Sequence, residues 1–317
     1  MKAVFALAAA VGAIASPVNL AAHLTSRELK TPQSWVEIHE SCNVTQRRMI
    51  ERGLNETYEV VEFATKYIKA NGPNDPAFQL YFGTDNDRAY ANALGVYESV
   101  LHSDKSGVLL RCDNIDGNCQ FPGWRGHWRG NNATSETVIC DASYTDRRYA
   151  IEYCMKGYKL TNAPASTFWG VDLLHRLLHV PQVTDNAVQH YASGLAGAVQ
   201  LAKTNSSFAP FDSDVLQYFA THVYINEVVK GGESCIGDIA ALPLPTADAH
   251  GAAYSTSSGA ASTATSAAAA SATSAAAAPA TTSAPRSASS AAAVAPASSS
   301  AADCHSHADG SIHCGSH

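Results

Sequence analysis

The last fifteen residues, Asp303 to His317, read DCHSHADGSIHCGSH and hold four of the chain's thirteen histidines and two of its eight cysteines. Neutral imidazole and thiolate are the side chains that hold Zn²⁺ or copper near neutral pH, so Cys304, His305, His307, His313, Cys314 and His317 form a candidate metal-binding tail. Two states of that tail are chemically sensible. With reduced thiols, two thiolates and two imidazoles make a tetrahedral zinc site; with oxidised thiols, a disulfide closes a small loop around Gly310 and presents imidazoles whose ordering cost is already reduced.

A second pair, His175 and His179, lies in HRLLH. Residues four apart share one face of a helix, so both rings can reach a single ion. The spacing is the ligand half of the H-E-x-x-H pattern of zinc peptidases, in which the Glu takes a proton from metal-bound water. Arg176 occupies that position here, and a guanidinium cannot serve as the base. A third ligand is needed for a site with one open position. His190, in VQHYASG, is the first choice and Asp185 the second, while Asp172, one turn before His175, is placed to orient an imidazole. For a peptidase, Glu152 or Asp172 would have to replace the missing base.

The termini and composition say where such chemistry would occur. Residues 1–15 carry Lys2, an apolar stretch and an Ala13-Ile14-Ala15 cleavage pattern, which reads as a secretory signal peptide. No segment has the ~18 consecutive apolar residues of a membrane span. An exported chain meets an oxidising medium, so Cys42, Cys112, Cys119, Cys140, Cys154 and Cys235 are expected to form three disulfides, with fifteen pairings open. The same medium favours the oxidised tail. Sequons at Asn43, Asn55, Asn132 and Asn205 fit an exported glycoprotein. The formal charge of −7 argues against a nucleic-acid ligand, which would call for a basic patch.

Four parts follow: signal peptide 1–15, domain 16–244, low-complexity linker 245–302 and metal-binding tail 303–317. Between Ala253 and Ala302 the chain is almost wholly Ala, Ser and Thr, with Arg286 its only charge, and so cannot bury enough surface to order itself. Within the domain, apolar periodicity predicts helices over Val44–Ala70, Asp85–His102, Ser166–His179, Asn186–Lys203 and Ser213–Val229, and strands over Gly107–Cys112 and Thr137–Cys140. The expected class is α+β, mostly helical, with a small sheet and disulfides.

WGVDLLHRLLHVPQV, VQHYASG, the Cys112, Cys119, Cys140 and Cys154 middle and the terminal CHSHADGSIHC together resemble the fungal pH-regulated antigen family, also called zincophores. The resemblance covers almost the whole mature chain except the linker. It implies a zincin-like fold related to the deuterolysin peptidases, with zinc at His175, His179 and His190 and at the tail. It also implies secretion or cell-wall attachment, capture of extracellular zinc, and delivery to a plasma-membrane zinc transporter. A secreted metallopeptidase, or a surface adhesin that binds host extracellular proteins, are the alternative functions.

Overall fold

A computed structural model describes residues 35–245 and, as backbone only, two short strands at 303–306 and 312–315. The expected signal peptide, the linker, His307 and His317 lie outside the described residues. A long helix, α1 (Val44–Asn71), forms the back of the domain. Its start is fixed by a capping box: Asn43 Oδ1 accepts from the amides of Thr45 and Gln46, and the Gln46 side chain accepts from the Asn43 amide. Ile50, Leu54, Val61, Ala64 and Ile68 make its buried stripe. It ends at Gly72, whose φ of 76° suits a residue without Cβ.

Next come α2 (Pro76–Phe82) and α3 (Ala89–His102), the latter packed against α1. The former was not expected from periodicity, being two turns long; Asp75 as N-cap and Pro76 in the first turn are its sequence signals. Next come β2 (Leu109–Arg111), β3 (Gly126–Trp128) and β4 (Glu136–Ile139), which with β1 (Glu37–Ile38) form a sheet in the order β1-β2-β4-β3. The first three are parallel neighbours, and β3 runs antiparallel at one edge, with His127 opposite Val138. At two and three residues, β1 and β3 are too short to show a period.

The short α4 (Asp141–Asp146) leads to α5 (Trp169–Leu178) and α6 (Pro181–Thr184), followed by α7 (Gly194–Thr204), α8 (Ser213–Tyr224) and α9 (Gly232–Ile236). After α8 the chain continues as a π-helical turn, Ile225–Val229. Disulfides join Cys42 to Cys112, Cys119 to Cys140 and Cys154 to Cys235, so six cysteines make three bridges as expected and the pairing is now defined. The molecule is α+β and mostly helical. None of its described helices is long and apolar enough to cross a membrane.

Every residue of α8 is buried. Phe219 at its centre packs edge-on against Tyr67, Phe78, Tyr81 and Phe82, a cluster that ties α8 to α1 and α2. The opposite side of α8 is polar, with Asp214, Gln217 and Thr221 all within 1 % of complete burial. Polar side chains cost stability in a core unless they are bonded, so this face must be satisfied by neighbouring elements.

Candidate metal centre

The helix that carries HRLLH is seated by glycines. A Cβ at Gly53 of α1 would lie 2.8 Å from Leu173 Cδ1, and one at Gly170 of α5 would lie 3.0 Å from the backbone of Glu56. With neither present the two helices approach closely enough for the Thr57 hydroxyl to contact Gly170 O at 2.9 Å. The fully buried Trp169 and Leu173 complete the contact. Helix α5 stops before Pro181, which disfavours the helical conformation of the residue ahead of it. His179 is the C-cap but keeps helical angles (φ −96°, ψ 0°), so the four-residue spacing from His175 survives the helix end.

His190 meets this pair from the other side. Its ring centroid lies 5.1 Å from that of His175 and 4.4 Å from that of His179, and the latter two are 4.7 Å apart. One ligand atom from each of the three falls within 4.8 Å of the others. His190 is not in a helix as expected; α7 begins only at Gly194, and residues 189–193 form a non-helical segment paired at Gln189 to Asp212. The reason is Asp212-Ser213-Asp214, which supplies acceptors that compete with helix formation. Asp212 Oδ2 accepts from the amides of Tyr191 and Ala192, Asp214 Oδ2 accepts from the Gly194 amide, and Ser213 N donates to Gln189 O.

Two polar groups from α8 orient the rings. Ser213 Oγ lies 3.0 Å from His190 Nδ1, and the Gln217 side-chain amide lies 2.8 Å from His175 Nδ1. With Nδ1 so engaged, Nε2 is the nitrogen that could hold a metal, the arrangement usual for metal-bound histidine. Gln217 Nε2 is the amide atom that faces the ring; the same nitrogen donates to Ser213 O and lies 3.3 Å from Asp214 Oδ1, two acceptors that fix its orientation. Asp212 is also the N-cap of α8 through Val215 N. Burial and the charge of Asp214 push its carboxyl up to about 7, against the three amides that it accepts. Three neutral imidazoles, two of them oriented through Nδ1, suit Zn²⁺ with one further position open.

Asp172 does not orient an imidazole, contrary to the sequence expectation. Its carboxylate lies between two guanidinium groups, with Arg176 Nε at 2.9 Å and Arg147 Nη2 at 2.7 Å, and all three side chains are buried. The role expected of it falls to Gln217. Arg176 therefore bends back along α5 and lies against the sheet, where a Cβ on Gly126 of β3 would come within 2.5 Å of its Nη1. Asp185 closes α6 in a left-handed conformation (φ 54°), is exposed, and is not in the histidine group. Glu152 is bonded to Lys156, whose ammonium holds its carboxyl below the ordinary value. Among the described residues a second potential metal group is Cys119, His127 and Cys140, but both sulfurs are in one disulfide and so are not thiolate ligands.

Of the tail residues, Cys304 and His305 lie in β5 (Asp303–Ser306), and His313 and Cys314 in β6 (Ile312–Gly315). These strands pair antiparallel, with Cys304 opposite Cys314 and His305 opposite His313. Gln217 and the 212–214 run were missed by sequence reasoning. The signal was there: Asp214, Gln217 and Thr221 recur at helical spacing within a mostly apolar helix.

Residues 3–238 match the model of "HRXXH: Putative peptidase family". Major allergen Asp f 2 of Aspergillus fumigatus is 45% identical over 230 residues, 70% of this chain and 73% of that protein. The pH-regulated antigen PRA1 of Candida albicans is 38% identical over 207 residues, 64% of this chain and 69% of that one. Among solved structures, a zinc peptidase from Grifola frondosa is similar at a TM-score of 0.44 and 15% identity, over 57% of this chain and 97% of that chain. With His175 on α5, His179 at its C-cap and Arg176 between them, the chain belongs to the HRXXH family, together with these fungal antigens.

Proposed function

We propose that the protein is a secreted or cell-wall zinc-binding protein that captures extracellular Zn²⁺ and hands it to the cell surface, where a plasma-membrane zinc transporter is the natural recipient. The observation that carries this reading is the convergence of His175, His179 and His190 to within 4.8 Å. Zinc would be held there by three imidazoles and, at the other end of the chain, by the Cys304, His305, His307, His313, Cys314 and His317 tail. A zincin-like architecture would suit this reading, with Arg176 of the histidine-bearing helix against Gly126 of the antiparallel edge strand. An antigen name among the relatives suits a protein displayed outside the cell.

Binding without turnover is favoured over peptidase activity because Arg176 occupies the place of the base and is itself bonded to Asp172. Neither carboxylate considered as a substitute base is available in the right form: Asp172 is held by two arginines and Glu152 by Lys156. Metal analysis of the protein purified without chelator, beside its His175→Ala variant, tests the reading. At least one Zn²⁺ per chain, reduced in the variant, supports it; zinc-dependent cleavage of denatured casein that the variant lacks would move the assignment to the peptidase class.

A further inference from the structure

His127, at the middle of β3, is 1 % exposed, and its two ring nitrogens have unequal surroundings. Nε2 lies 3.1 Å from Asp116 Oδ2. Asp116 is in turn clamped by Arg129, whose Nε and Nη2 donate to its two oxygens at 2.9 and 3.0 Å. Beside that guanidinium the carboxyl is ionised and can only accept, so Nε2 carries the proton and Nδ1 keeps a bare lone pair. Nδ1 is buried and has no hydrogen-bond partner among the described residues. A carboxylate on one nitrogen of a buried histidine, with the other nitrogen open, is the arrangement that supports a metal-bound imidazole. The group it can complete is Cys119 and Cys140: one ring nitrogen of His127 and the two sulfurs all lie within 4.8 Å of one another. Pairing of β3 with β4 fixes two of the three, since His127 stands opposite Val138 and Cys140 N donates to Arg125 O. Cys119 sits on the short turn Asn118–Gln120, its amide held by Asn114 Oδ1.

We infer that Cys119, Cys140 and His127 form a further zinc site, closed while the disulfide stands and opened by its reduction. It is independent of the His175, His179 and His190 centre. Cys119 is half-buried and Cys140 is 2 % exposed, so an external low-molecular-weight thiol attacks Cys119 Sγ. The S–S bond breaks, a mixed disulfide forms at Cys119, and Cys140 leaves as a thiolate. A second thiol attacks the mixed disulfide and frees Cys119, so that two thiols are oxidised to one small disulfide while the protein bridge is reduced. Zn²⁺ then takes the place of the protons on both sulfurs and binds Nδ1 of His127, with a fourth position left for water. The sulfurs of a tetrahedral site stand ~3.7 Å apart, within reach of side chains whose Cα atoms are 5.4 Å apart. Oxidation by a small disulfide reverses the steps and expels the ion. The site takes up zinc where thiols are abundant and gives it up where they are oxidised.

Because the ion binds only the reduced form, zinc must make this one bridge easier to reduce. Full-length protein is equilibrated in glutathione buffers of graded thiol-to-disulfide ratio, with and without buffered free Zn²⁺. Acid quenching, alkylation and peptide mass spectrometry then read each bridge separately. Zn²⁺ is expected to move the Cys119–Cys140 equilibrium toward reduction by at least ~10-fold, and to leave Cys42–Cys112 and Cys154–Cys235 where they were. His127→Ala and His127→Gln, each folded by circular dichroism in the oxidised form, should lose the shift, while His175→Ala should keep it. No shift, an equal shift at every bridge, or a shift that survives both His127 variants would overturn the site. So would a domain that unfolds once Cys119–Cys140 is reduced, since the three ligands would then have no scaffold. A shift that vanishes in His175→Ala would trace the effect to the other centre and overturn the proposal as well; failure of that centre to bind zinc, with the shift intact, would leave this site standing.

Discussion

The Gln217 side-chain amide sits 2.8 Å from Nδ1 of His175, joining the buried polar face of α8 to the ligand helix α5 across 42 residues of sequence. The same amide is anchored on its own helix at Ser213 O, 3.1 Å away. Its position is thus set by α8, and the ring of His175 is set by it. Outer partners of this kind fix the tautomer and direction of a ligand before metal arrives.

Truncating that partner should weaken the metal without unfolding the protein. For Gln217→Ala, zinc affinity of the domain centre is expected to fall about 10–100-fold, the usual cost of losing such a partner. Competition against a chelator of known affinity measures it, with circular dichroism to show that the fold is retained. An unchanged affinity would mean that the amide packs against the ring without orienting it.

Arg176 is expected to matter for stability. Its removal leaves the buried Asp172 with Arg147 alone; breaking one side of a buried ion pair typically costs 3–5 kcal/mol, and the surviving partner sets the expectation for Arg176→Ala at about 3 kcal/mol. Urea unfolding of the metal-free protein gives the value. Arg176→Glu should be worse, since it sets a second carboxylate beside Asp172, and it should not yield a peptidase. Efficient casein cleavage by that variant would show that only the missing base separates this chain from an enzyme.

A third expectation concerns acid. His222 is buried against Tyr81, whose hydroxyl lies 3.0 Å from Nδ1, and burial lowers its pKa from 6.5 to about 4. Below pH 6.5 the unfolded chain takes up a proton that the folded chain refuses until about pH 4. Stability is therefore highest above that window and falls as the pH drops through it, by on the order of 3 kcal/mol from this group. Denaturant midpoints measured with chelator from pH 7.5 to pH 4 should show the decline, and His222→Gln should flatten it. An equally steep decline in the variant would place the acid sensitivity elsewhere.

The parts of the site that lie on one helix were legible in the sequence, because the i, i+4 relation of His175 and His179 follows from backbone geometry alone. His190, named from the sequence as the third candidate, does lie beside the pair, though not in the helix expected for it. A non-helical segment anchored by Asp212 and Asp214 has no local signature, since the residues that hold it lie about twenty positions further on. Asp172 misled for a different reason: Arg176 stands four residues on along the same helix and was there to be read as its partner, while Arg147 becomes visible only once the 147–148 segment is packed beside the start of α5. The main helices were readable from their apolar stripes, while two- and three-residue strands such as β1 and β3 depend on neighbours that only the fold supplies.

Three imidazoles of the folded domain, His175, His179 and His190, are expected to hold zinc on their own account. The direct measurement is an isothermal titration of Zn²⁺ into protein lacking Asp303–His317 at pH 7.4, beside the same protein carrying His175→Ala, His179→Ala or His190→Ala. One zinc per chain, weakened by each of the three substitutions, is the predicted result; no binding by the tail-deleted protein, or binding indifferent to all three, would contradict it.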